Sequence, residues 1–301
     1  MMPGGPTVTP HARLSGYTTF RLGGPCNQLV DCTSLEEFRT VWPQLARENA
    51  LLIGGGSNLL VSDHGLPHPV VRYVAAKPEI NVEGDDVVVS AGTLLDDLAR
   101  ITCERGCDGM VMGSGIPGTV GGAIAGNAGA FGEQIGDRIV SCEMMDRDGS
   151  ICRRTPAELG FTYRRSSIPA SGEVVLTARL RLPPGQREAL LSRRADILAL
   201  RASKHPDWRT VPTAGSFFKN IEPTSKAEKR QAAGWFLEQA GALNMRVGGA
   251  RTFARHANII ITEPGAAAGD VLQLAEMMAA AVEEKFGIKL EREVKVLGTF
   301  S

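Results

Sequence analysis

GSGIPGTVGGAIAGNAGAFG, residues 113–132, has twelve Gly or Ala among its twenty residues and no charge. A run of this kind keeps side chains off the backbone, which is required where a second backbone or a ligand must lie against it. The uncharged stretch extends over 109–132, the length of a membrane helix, and holds the pairs Gly118/Gly122 and Gly122/Gly126. Its content argues against insertion. Nine glycines with Pro117 and Asn127 leave few large apolar groups, and each interior Gly lowers helix propensity by about 1 kcal/mol relative to Ala. The letters GSGIPG also fit the G-x-G-x-x-G of a dinucleotide turn. Pro117 and the glycines at 121, 122, 126 and 129 would, however, undermine the helix such a turn opens.

An earlier loop, LLIGGGSNLLVSD at 51–63, follows a strand-like run but has Leu59 where a third glycine of that fingerprint would stand. What the two loops share is exposed backbone N–H groups with small polar residues between them. The first offers Gly54, Gly55, Gly56, Ser57 and Asn58; the second offers Gly113, Ser114, Gly118, Thr119, Gly122 and Asn127. Nests of N–H donors hold phosphate without needing a lysine. Two of them in one chain suit a ligand with two ends, such as a dinucleotide.

The rest of the chain bounds the partners. With 301 residues, 43% hydrophobic and 22% charged, it has the composition of a globular protein of two or three lobes. Thirty-three basic residues balance thirty-three acidic ones, so no global field favours nucleic acid or an anionic membrane. Six cysteines without C-x-x-C spacing and an N-terminus without an apolar core point to small buried thiols in a reduced, cytoplasmic protein. The five histidines form no metal-ligand pair, and no metal is expected.

Local signals alternate. Ser34 and Glu37 form a capping box at the head of a helix that Pro43 should break or kink, and 94–106 has helical spacing ending at Gly106. Strands are expected at PVVRYV, DVVVSAG and GEVVLTARLRL, with a hairpin at Asp148-Gly149. After Pro183-Pro184 the pattern changes to a long charged helix over 186–206. A loop, a helix over 225–241, the strand HANIIIT, a helix over 269–287 and the strand EREVKVLG follow. The boundary near 184 gives an α+β protein, with residues 1–184 as one domain and 185–301 as another.

The segments TTFRLGGP (18–25), GGGSNLL (54–60), SGIPGTVGGAIAGNAGA (114–130) and FTYRRSS (161–167) occur in this order. They are followed by AGSFFKN (214–220), AGWFLEQAG (233–241), VGGARTFARHAN (247–258) and LEREVKVLG (290–298). Together they resemble the UDP-N-acetylenolpyruvoylglucosamine reductase (MurB) family over nearly the whole chain. The resemblance implies a two-lobed FAD-binding unit of the vanillyl-alcohol oxidase (PCMH) type, followed by a MurB-type substrate-binding α+β lobe. FAD would be bound non-covalently along both Gly-rich loops, with Leu59 beside the first of them, and NADPH would be the co-substrate. The implied reaction reduces an enolpyruvyl ether on a UDP-sugar to a lactyl ether in peptidoglycan precursor synthesis, a cytoplasmic step of cell-wall growth and division.

By motif position the resemblance gives Arg164 to the substrate carboxylate, Ser216 to proton donation at carbon and Glu293 to assisting the intermediate. Glu291, two residues away on one strand, is separated from Glu293 only by its place in the motif. Lys219, Asn220 and His256 fall at substrate positions, while Arg246, Arg251 and Arg255 are candidates for the phosphates. The short segment between Arg179 and Ser216 resembles the subtype lacking a tyrosine-bearing insertion, and Ile221 and Asn244 depart from common family residues. An FAD-dependent oxidase of small alcohols and a non-catalytic nucleotide-binding module are the alternatives. A monomer is expected.

Overall fold

Ser34 caps the first helix: its side chain accepts from the Glu37 N–H at 3.3 Å, and the Glu37 carboxylate accepts from the Thr33 N–H at 2.7 Å. The helix, Leu35–Ala46, continues through Pro43 instead of breaking there. Proline removes one donor, whereas Phe38 and Trp42, one turn apart, are both buried on the same face, and the packing of that face outweighs the lost bond. A computed structural model describes residues 5–222 and 230–300. It divides the chain into two compact units that interleave along the sequence. Residues Met1–Ala12, Asn27–Gly55 and His68–Arg201 form the first; Arg13–Cys26, Gly56–Pro67 and Ala202–Ser301 form the second.

The first unit holds two larger sheets. In one, the order is Thr7–Pro10, Gln28–Cys32, Val70–Tyr73, Leu51–Ile53, the first pairing antiparallel and the others parallel. Phe38 stacks on Tyr73 with ring centroids 4.7 Å apart, fixing the first helix to this sheet. The other sheet is antiparallel, in the order Ile151–Arg154, Ile139–Met145, Val174–Arg181, Asp86–Ser90, Ile80–Glu83. Its first hairpin closes over 146–150, as the Asp-Gly pair predicts. The Asp146 carboxylate accepts from the Asp148 and Ser150 N–H groups, and Gly149 takes φ +92°.

The Gly-rich run is no single element. A 3₁₀ turn at Val111–Gly113 is followed by a helix at Val120–Ala125 and a small pairing of Gly129–Ala130 with Glu133–Gln134. No strand ends at Gly113, so the dinucleotide turn is absent. A helix nevertheless forms despite Gly121 and Gly122, because Thr119 caps it through the Gly122 N–H and Val120, Ala123 and Ile124 are buried. The long helix Arg187–Lys204 buries Leu190 and Ile197 against Cys103 and Val111.

In the second unit, Thr213–Ser216, His256–Thr262, Ala250–Phe253 and Arg246–Val247 make an antiparallel sheet in that order. Helices Ala233–Gln239 and Ala268–Phe286 share a core with it around Phe217, Leu237, Ile260, Leu274 and Met278. Of the helix expected over 225–241, residues 225–229 lie outside the described residues. Leu59–Val61 runs parallel to Lys295–Leu297, so the expected C-terminal strand is short and Glu291 and Glu293 lie before it. Among the described residues no helix is long and apolar enough to cross a membrane.

Replacing Phe38 by Ala removes the ring that joins helix to sheet. A loss of about 3–5 kcal/mol in urea unfolding free energy is expected, and a loss under about 1 kcal/mol would show that the helix is held by other contacts.

Candidate active site

The glycines of the two loops divide by what a side chain would meet. A Cβ on Gly54 would collide with the Thr119 hydroxyl, and one on Gly55 would stand 3.1 Å from Gly118 Cα. Gly56, at φ +61°, would collide with the Tyr17 carbonyl. These glycines are required by the protein's own packing. Gly122 is different: it is exposed, its φ is not positive, and the nearest atom to an added Cβ is Thr119 Oγ1 at an ordinary 3.5 Å. Nothing in the fold requires glycine at 122, so the space beside it is open to a ligand. Ser114 points the same way, being fully buried with a hydroxyl that has no hydrogen-bond partner. A cleared backbone and a buried orphan hydroxyl fit a cofactor lying against this loop.

Asn127, at φ +43°, has a different use. Its fully buried amide donates to Gln134 Oε1 and to the Thr162 carbonyl and accepts from the Gly136 N–H. It thus ties the Gly-rich run to a tight turn in which Thr162 and Arg165 exchange backbone bonds of 3.1 Å each. Tyr163 and Arg164 occupy the tip, and Arg164 takes the left-handed backbone at φ +55°. Its guanidinium donates to the Gly129 carbonyl at 2.6 Å and lies 5.2 Å from the Tyr163 ring centroid. The structure therefore holds Arg164 in the first unit, tied to the Gly-rich run.

Ser216, Glu293, Lys219, Asn220, His256 and Asn58 all belong to the second unit. Ser216 ends a strand distorted by a register shift between Thr213 and Ser216, with Gly215 at φ +74°. The Phe217 carbonyl next to it accepts from the Glu293 N–H at 2.8 Å, and the Glu293 carbonyl accepts from the Asn58 side chain at 3.1 Å. Glu291 is separated from Glu293 by environment: it is 55% exposed and bonds the Lys219 ammonium at 2.7 Å. Asn220 Oδ1 accepts from the Ala233 N–H. His256 Nδ1 accepts from the Asn258 N–H at 3.2 Å, which leaves Nε2 to carry the ring proton, and burial pushes its pKa down, favouring the neutral form. Of the three arginines, Arg246 and Arg251 both bond Glu263, whose carboxyl they hold below its usual pKa, while Arg255 donates to the Ser203 carbonyl.

Two residues escaped the sequence. Arg201 is half-buried on the long helix, donating to the Met112 carbonyl at 3.4 Å while its Nε is buried without a partner. Desolvation and the Arg164 charge both work against its charged form. Asn258 is 2% exposed and bonds both backbone groups of Phe218. Helical spacing marks Arg201 only as one charge among many, and Asn258 sits inside the apolar run HANIIIT, where nothing signals its bonds.

The cleared Gly-rich loop of the first unit leaves room for a cofactor, and the second unit is built mainly from the C-terminal third of the chain. Residues 26–155 match the family described as an FAD binding domain, and residues 205–297 match the UDP-N-acetylenolpyruvoylglucosamine reductase C-terminal domain. The chain is 36% identical to the UDP-N-acetylenolpyruvoylglucosamine reductase of Synechococcus sp. strain JA-3-3Ab, covering 98% of this chain and 96% of that one. It is 39% identical to that of Moorella thermoacetica, covering 95% and 91% respectively. The crystal structure of the MurB reductase from Thermus caldophilus superposes with a TM-score of 0.80 at 32% identity, over 97% of this chain and 99% of that one. The chain belongs to the UDP-N-acetylenolpyruvoylglucosamine reductase family. It is a flavin-dependent oxidoreductase with FAD as its cofactor, and its fold is the expected FAD-binding unit of the PCMH type followed by a MurB-type lobe.

Gly122→Val should fold normally, since a Cβ there meets no protein atom closer than 3.5 Å and Val is no worse than Gly for a helix. It should lose FAD affinity by at least about tenfold, the equivalent of 1.4 kcal/mol, measured by fluorescence titration of the apoprotein; unchanged affinity would remove the cofactor from this position. The lowered His256 pKa sets a pH dependence of stability. Below the usual value of 6.5 the unfolded chain takes up a proton that the folded one resists, so stability is present above that pH and declines as pH falls towards the folded pKa. His256→Gln should flatten this part of the urea-denaturation profile; an unchanged slope would mean that the proton is taken up elsewhere.

Proposed function

We propose that the protein reduces UDP-N-acetylglucosamine enolpyruvate to UDP-N-acetylmuramate with NADPH as the electron donor, in the cytoplasm, as a step in peptidoglycan precursor synthesis. The observation that carries this reading is the Ser216–Phe217–Glu293 arrangement, a hydroxyl and a carboxylate on adjacent backbone segments of the unit matching the reductase's own C-terminal domain. Residues 1–184 would serve the flavin, apart from Arg164, and residues 185–301 the substrate, in a monomer. The subtype without a tyrosine-bearing insertion would clamp its substrate by other residues.

Bound FAD, reduced by NADPH, would supply the hydride for the terminal carbon of the enolpyruvyl group. Gly54, Gly55, Gly56, Ser57, Asn58 and Leu59, with Gly113, Ser114, Gly118, Thr119, Gly122 and Asn127, would hold it, Asn127 by bracing the loop. Hydride addition sends negative charge towards the substrate carboxylate. The Arg164 guanidinium suits that planar anion, since it stays charged and offers paired donors. Ser216 then protonates the neighbouring carbon. A serine hydroxyl is a weak acid, so its donation relies on a desolvated site and on a nearby group that replaces its proton, and Glu293 fits this relay. Lys219, Asn220 and neutral His256 would contact the UDP moiety, His256 through Nε2–H.

Ser216→Ala tests the assignment by separating the two half-reactions. Bleaching of the flavin absorbance by NADPH should be nearly unchanged, while its return on mixing with the enolpyruvyl sugar should slow by about 10²–10⁴-fold. Equal slowing of both would make Ser216 a structural residue, and slowing of neither would leave the proton donor to be found elsewhere, Glu293 first.

A further inference from the structure

The strand that carries Ser216 is anchored from one side by a side chain. The Asn258 amide makes both bonds that a neighbouring strand would make with Phe218: Oδ1 accepts from the Phe218 N–H at 2.9 Å, and Nδ2 donates to the Phe218 carbonyl at 2.8 Å. The Asn258 carbonyl also accepts from the Phe217 N–H at 2.8 Å. On the preceding side, regular pairing has failed: the register shifts between Thr213 and Ser216, and Gly215 is left-handed. On the far side, the Phe217 carbonyl receives the Glu293 N–H. Ser216 therefore sits between an irregular segment and a backbone clamped by Asn258, and Glu293 hangs on the same clamped peptide.

We propose that Asn258 is a positioning residue: by fixing the Phe217–Phe218 backbone it sets the Ser216 hydroxyl and the Glu293 carboxylate in register with each other. This rests on the roles given to Ser216 and Glu293 above. The physical need is plain, because proton transfer to carbon tolerates little misplacement, and a shift of about 1 Å can lower a rate about 10²-fold. A side-chain clamp achieves this where regular pairing with the His256–Thr262 strand ends, opposite the main-chain bonds to residues 291–293, and burial keeps water from competing for its two bonds.

Asn258→Asp provides the test, since the shape is kept and only the donor is lost. At pH 8 the carboxylate cannot donate to the Phe218 carbonyl, and reoxidation of reduced flavin by the enolpyruvyl sugar should slow by about 10²-fold. Reduction by NADPH should stay within about twofold of wild type, since it needs no proton from this clamp. As pH falls, the buried carboxyl, whose pKa burial raises, becomes protonated and can again both accept and donate. The variant-to-wild-type ratio for reoxidation should therefore recover at least about tenfold towards pH 6, a rescue that general loosening of the structure does not give. His256 accepts from the residue-258 N–H and has Lys204 and Glu238 in its electrostatic surroundings, so the same ratio is also taken in a His256→Gln background, where only position 258 can supply the pH dependence.

A ratio that is flat with pH, or equal slowing of both half-reactions, overturns the positioning role, as does wild-type reoxidation at pH 8. Should the Asp variant not fold, Asn258→Ser is read by the same half-reactions; if neither variant yields flavin-loaded protein, Asn258 is a folding determinant and the proposal is wrong. Ser216→Ala is measured in parallel. If it reoxidises at the wild-type rate, the Ser216 assignment fails and this proposal falls with it, a result distinct from a fast Asn258→Asp beside a slow Ser216→Ala.

Discussion

Gly55 approaches Gly118 so closely that a single added carbon would stand 3.1 Å from the opposing Cα, and Gly54 lies just as tightly over Thr119. This backbone-to-backbone crossing determines much of what surrounds it. Thr119, held under Gly54, caps the short helix Val120–Ala125, whose Gly122 faces open space. Asn127 then carries the same run to the Arg164 turn. Asp96 adds a strap, accepting from the Gly115 N–H at 2.8 Å and from Arg194 on the long helix at 2.6 Å. Part of the glycine content thus serves protein packing, and only the remainder is left to serve a ligand. Composition alone does not separate the two demands, because both ask for the same residue.

Much of the fold could be read locally. Ser34 with Glu37, the Asp148-Gly149 hairpin and the alternation of VVLTARL each have a short-range cause, and each element forms where its signal lies. The sequence misled where distant packing decides. Pro43 sits inside a continuous helix because Phe38 and Trp42 are buried on one face, and Gly121 and Gly122 sit in one because a capping threonine and a buried face outweigh poor propensity. The interleaving of the units was equally hidden. Phe20, Leu22 and Leu60 lie early in the chain yet join the core of the C-terminal sheet, and no local pattern records which core an apolar residue enters. For the candidate site, the motifs singled out residues but not their company. Asn127 proved to be a brace, Lys219 to bond Glu291, and Asn58 to reach the Glu293 carbonyl, all of them matters of three-dimensional pairing.

A recurring device is the asparagine side chain used as a substitute peptide. Asn127 joins three segments of the first unit, Asn58 donates to the Glu293 carbonyl, and Asn258 stands in for backbone on one side of Phe218, whose other side bridges Arg292. An amide offers one donor group and one acceptor in fixed geometry, so it bonds a backbone as another backbone would and carries no charge that burial would penalise. Such substitutes are useful where regular structure must stop.

The Arg164 turn shows the same compromise in energetic form. Left-handed backbone costs a residue with a Cβ about 1–2 kcal/mol, a cost that glycine avoids and asparagine lessens. Among the described residues, three of the six non-glycine positions with positive φ, Asn127, Phe131 and Arg164, lie within the Gly-rich run or on the turn braced by it. Strain concentrated in this way persists only where the surroundings over-determine it. For Arg164 they do: paired backbone bonds between Thr162 and Arg165 close the turn, Asn127 fixes its base, and the Gly129 carbonyl receives the guanidinium. A glycine would make the same turn with less strain, so the turn alone does not call for arginine. What only arginine adds is a permanent planar cation, the feature on which the proposed contact with an enolpyruvyl carboxylate rests.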